Sequence, residues 1–134
     1  MTTTDRRVWI RAVLLAGAAY VVIGRVFAYP TTHAQFWRWA AWVVSGVVFA
    51  AQIGYEHFRL RYSPRTTALH AALASAIGGF GLAVAASVHK LMVSSALEAK
   101  WLIAFVAWPA ITFVPAFVVA FAVAAVLARI NRVS

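Results

Sequence analysis

Glu56 is the one acidic residue inside an apolar run of this chain, and residues 53–70 around it gather His57, Arg59, Arg61, Arg65 and His70. A carboxylate beside imidazole and guanidinium groups in a bilayer has two uses: it can pin helices as a buried ion pair, or it can carry protons in a coupled transporter. At about 100° per residue, Arg38, Ser45, Gln52, Glu56 and Arg59 fall within about 40° of one direction, a polar stripe along one helix. Facing acyl chains, an amide and a carboxylate would be costly, so the stripe is expected to face the bundle interior or a partner. Counting depth from the span ends places Arg11 and His70 level with Glu56. These two are its expected partners, in a pair that joins three helices at one end.

The elements that must position these residues follow from composition. The chain is 64% hydrophobic and 11% charged with a mean hydropathy of +0.84, against about 45–50% apolar and about 25% charged in soluble domains. Apolar runs cover 8–28, 39–58, 68–88 and 101–128, and each reaches the roughly 20 residues that a spanning helix needs. The expected fold is therefore an all-α integral membrane four-helix bundle, a single transmembrane domain over 1–134 with helices about 5–28, 33–61, 64–92 and 96–130. Punctuation agrees. Pro30 stops the first helix, and Thr32 with Gln35 forms a capping box for the second. Ser63 before Pro64 caps the third across a tight hairpin, and Ser95 with Glu98 forms a second box before the fourth.

Charge sets orientation. The formal charge of +9 comes from 12 Lys and Arg against Asp5, Glu56 and Glu98. Arg6, Arg7, Arg11, Arg59, Arg61, Arg65, Arg129 and Arg132 fall on one side, and Arg25, Arg38, Lys90 and Lys100 on the other. The richer side belongs in the cytoplasm, giving an N-in, C-in multi-pass protein of the bacterial inner membrane. The arginines are absorbed by topology, so no nucleic-acid partner is expected. Arg6-Arg7 also fits a twin-arginine export signal with a small-residue cut near Ala28, but Arg25 interrupts its apolar region and three spans follow.

Packing in lipid relies on small residues that let backbones approach. The third helix carries Ala71, Ser75, Gly79, Ala83 and Ser87 at four-residue spacing, the second Gly46, Ala50 and Gly54, and the fourth Ala116, Ala120, Ala124 and Ala128. These faces are expected to pack within the bundle, with a homodimer seam or another membrane protein as the alternative. Pro109 and Pro115 predict a kinked fourth helix, with the Thr112 hydroxyl bonding the Trp108 carbonyl that the kink frees.

At the outer end, Arg25, Arg38, His89 and Lys90 are candidates for holding an anion such as a lipid phosphate. His57 and His70 at one surface with His33 and His89 at the other resemble the histidine pairs of transmembrane b-type cytochromes. No haem motif surrounds them, and axial nitrogens must face one another across a plane, so no cofactor is expected. With no cysteine in the chain, thiol redox chemistry and thiolate metal sites are excluded. The helix-one carboxylate of small multidrug exporters and the cysteines of membrane thiol oxidases are also missing, as are hydrolase and phosphate-loop motifs. The expected role is structural or accessory rather than catalytic, in contact with the bilayer and its anionic lipids. A transporter or channel for an anionic or proton-coupled solute, using Arg25, Gln52 and Glu56, is the alternative.

Overall fold

The computed structural model describes residues 3–30, 32–94 and 99–133, with side chains for 6–30, 32–93 and 102–131. The described residues form four long helices and no strand: α1 (Thr3–Val26), α2 (Ala34–Gly54), α3 (Pro64–Ser94) and α4 (Ala99–Val133). A short π-helical segment, Tyr55–Arg59, continues α2. All four are long and apolar enough to cross a membrane, over Arg6–Val26, Ala34–Arg59, Pro64–Val93 and Leu102–Asn131.

The helix ends follow local chemistry. α1 tightens as Ala28 N–H bonds Arg25 O at 3.2 Å and Tyr29 N–H bonds Val26 O at 3.4 Å, and Pro30, which cannot donate, closes the turn. The expected Thr32 cap is replaced. His33 occupies the N-cap of α2 with φ 56° and no side-chain capping bond, because the chain turns there through a left-handed residue rather than the extended one a threonine cap uses. Ser63 does cap α3: its Oγ accepts from Thr66 N–H at 3.2 Å, and its carbonyl accepts from Thr67 N–H at 3.0 Å. The expected box at Ser95 and Glu98 lies outside the described residues.

α3 is the central helix. It packs most extensively on α4, next on α1, while α2 lies against α1 and α3. Small residues explain both seams. A Cβ at Gly79 would come within 2.8 Å of Thr112 Oγ1 and 3.2 Å of the Trp108 carbonyl on α4, and one at Gly78 would meet Tyr20 Cβ of α1 at 2.7 Å. Ala68 and Ala71 meet Ala120 and Ala124 of α4 in one core cluster with Ile53. Val13 and Ala16 of α1 meet Ala74 in the other, flanked by Trp9, Tyr20 and Ile77.

The small residues of α2 behave differently. A Cβ at Gly46 or Gly54 would meet nothing within 4 Å, and Ala50 is exposed. That face turns outward, and α2 is held instead by Val48, Phe49, Gln52 and Ile53. α4 runs without a break through Pro109 and Pro115. The Thr112 hydroxyl bonds Trp108 O at 2.9 Å as expected. The prolines, however, free the carbonyls of Phe105 and Ile111, four residues before each, so this bond is extra bracing and not a repair.

Candidate functional site

The site forms where the α2–α3 hairpin meets the start of α1. Gln52 lies in the last turn of α2, and Glu56 follows one turn later in the π segment, where Leu60 N–H reaches back five residues to Tyr55 O at 3.3 Å. Such wide turns recur at functional positions because they re-aim side chains. The segment ends through Arg61 in the left-handed region, φ 52°, and Tyr62 N–H bonds the Glu56 carbonyl at 3.2 Å. This six-residue closure resembles the C-terminal motif usually built on glycine.

Glu56 is wholly buried. One carboxylate oxygen, Oε2, lies 2.7 Å from His70 Nδ1 of α3, and the other, Oε1, accepts from Gln52 Nε2 at 3.2 Å. At 2.7 Å the two atoms are within hydrogen-bond distance, which joins the carboxyl group of α2's π segment to the imidazole of α3. His70 is itself packed on two sides. The Trp9 ring of α1 stacks on its face at 4.6 Å and 5°, and Tyr62 meets it edge-on at 5.4 Å and 80°. The carboxylate therefore ties α2 to α3, and the imidazole passes the tie on to α1.

Further polar atoms in this layer lack protein partners. Gln52 Oε1, Thr67 Oγ1 and Trp9 Nε1 are buried without a hydrogen bond, and Thr67 is fully enclosed. Buried polar atoms of this kind are costly unless satisfied, and two of the three residues also touch the pair, Gln52 through Glu56 and Trp9 through His70.

Of the candidates read from sequence, Gln52, Glu56 and His70 come together. Arg11 does not: it is exposed, and the ion pair described for Glu56 is with His70. Depth counting placed Arg11 at the right height but not on the right side. It lies two residues, about 200°, from Trp9, so burying Trp9 turns Arg11 outward. Arg25 is exposed, with its guanidinium 5.8 Å from the Tyr29 ring centre. Arg38 is also exposed, in an open groove of about 450 Å³ with Gln35, Trp39 and Trp42 of its own helix. The polar stripe is thus buried only at Gln52 and Glu56, with Ser45 half-buried and Arg59 exposed.

Trp9 and Thr67 are members that the sequence reading missed. Trp9, Val13, Ala16 and Tyr20 recur at helical spacing, and that apolar face is the signal that identifies Trp9 as inward. Thr67 precedes His70 by three residues and shares its face. Among the described residues no group of three or more His, Cys, Asp or Glu side chains could hold a metal ion. The histidines His57 and His70 engage Asn131 and Glu56 respectively, not one another.

No protein-family model matches the chain, and no curated protein or solved structure shows a significant similarity to it.

Proposed function

We propose that this chain is a small multi-pass protein of the inner membrane with a structural or accessory role, in which Glu56 locks the hairpin end of the bundle. The observation that carries this reading is that both oxygens of the buried carboxyl group are bonded: one bonds His70, the other Gln52, and His70 is clamped by Trp9 and Tyr62. A buried group bonded through both oxygens is suited to holding helices in register. The excess of arginine at the hairpin and both termini supports N-in, C-in topology, and Pro109 and Pro115 support a bend in α4. The role is non-catalytic, with no nucleic-acid partner. The outward face of α2 and the surrounding anionic lipid supply contacts for membrane partners, a second copy among them.

A second reading rests on a specific observation. Gln52 Oε1 and Trp9 Nε1 are unpartnered on residues that touch the carboxyl–imidazole pair, and unsatisfied polar groups at an intramembrane ionisable pair suit a proton-binding site of a coupled transporter. Liposomes separate the two. In the structural reading, reconstituted protein shows no Glu56-dependent movement of protons or of an anionic solute under an imposed pH gradient. Flux that Glu56→Gln abolishes would replace that reading with transport.

A further inference from the structure

A second feature lies at the same end but outside the buried layer. His57 and Phe58 of the π segment, Arg61 and Tyr62 of the hairpin, and Ala128 and Asn131 of α4 line a cleft of about 430 Å³, within the roughly 300–1,000 Å³ usual for small ligands. Asn131 Nδ2 donates to His57 Nε2 at 3.1 Å, joining the two walls. We infer that this cleft seats the phosphate-bearing headgroup of an anionic phospholipid.

Charge, position and polarity all point to that ligand. The lining carries the Arg61 guanidinium, and exposed Arg59, Arg65 and Arg129 neighbour the cleft along the chain. Among the described side chains the one carboxylate is Glu56, whose oxygens are already bonded. An anion entering the cleft therefore meets the Arg61 guanidinium and, among the described side chains, no free carboxylate. The membrane-spanning stretches of α2 with its π segment and of α4 end at Arg59 and Asn131, so the cleft lies at headgroup depth. Phe58, 57% exposed, and Ala128 give it an apolar flank along which an acyl chain can leave. A free phosphate would make no use of that flank.

This site rests on the reading of the chain as a four-span membrane protein, and the test separates the two. Full-length protein in mild detergent is examined by native mass spectrometry with phosphatidylglycerol, phosphatidylcholine or inorganic phosphate. Phosphatidylglycerol should be retained in preference to phosphatidylcholine and should resist displacement by millimolar phosphate. Arg61→Gly should lower its occupancy about fivefold, the worth of about 1 kcal/mol for one arginine at an anionic surface. Glycine suits the left-handed backbone at this position, so the fold is kept. Arg6→Gln, which removes the same charge at the same end outside the cleft, should leave occupancy unchanged. Equal retention of both lipids, or equal losses in the two variants, would overturn the site. Displacement by phosphate would assign the cleft to a free anion and overturn the lipid. A chain that fractionates away from membranes would overturn the four-span reading instead.

Discussion

Glu56 Oε2 lies 2.7 Å from His70 Nδ1, fourteen residues along the chain and across the hairpin, with both residues at least nine-tenths buried. Removing one member of such a pair leaves the other without compensation in a medium that cannot solvate it. The hairpin end of the bundle therefore depends on a few polar contacts as well as on packing.

Arg11 should be dispensable. It is exposed and apart from Glu56, so Arg11→Gln should change stability in detergent by less than about 0.5 kcal/mol, the usual scale for surface changes. Its effect should add simply to that of Glu56→Gln. A non-additive loss would restore Arg11 as a partner.

Two glycines should respond in opposite ways. Gly79→Leu drives a side chain into Thr112 and the Trp108 carbonyl and should cost at least about 1–3 kcal/mol, the scale of overpacking. Gly46→Leu adds a side chain where nothing lies within 4 Å and should be tolerated. Thermal midpoints in one detergent compare the two directly.

Arg61 holds a left-handed backbone, φ 52°, that costs a non-glycine residue about 1–2 kcal/mol. Arg61→Gly should raise the midpoint for hairpin unfolding while weakening lipid retention. Stability and binding then move in opposite directions, which loss of structure cannot produce.

Topology is open to chemical mapping because the chain has no cysteine. A single Tyr29→Cys should react with a membrane-impermeant maleimide in cells with a permeable outer layer. Arg65→Cys should react only after the membrane that holds the protein is opened. The reverse pattern would invert the N-in, C-in assignment.

Much of this architecture was legible because the bilayer imposes simple demands. A span must be long and apolar, so the four helices could be counted, and Ser63 before Pro64 marked the hairpin through its capping chemistry. The Glu56–His70 pair could be anticipated from depth alone. Rotation about the helix axis was harder. Arg11 shares the depth of Glu56 but faces away, and Gly46 with Ala50 forms a small-residue face that lies against no helix. Lipid accepts small residues as readily as a neighbouring helix does, so composition does not distinguish the two surfaces. The left-handed turn at His33 and the π segment are backbone choices imposed by their surroundings. No residue type at those positions demands them.

If Glu56 and His70 act as one structural unit, a double-mutant cycle in detergent shows coupling between them. Glu56→Gln removes the charge with little change of shape, and His70→Phe removes Nδ1 while keeping a ring against Trp9. Each should destabilise the protein by about 1–3 kcal/mol, the cost of leaving a buried polar group unsatisfied. The double variant should recover about 1 kcal/mol or more of the summed loss, within the range of hydrogen bonds measured between membrane helices. Losses that add to within about 0.3–0.5 kcal/mol would show instead that the two residues are independent neighbours.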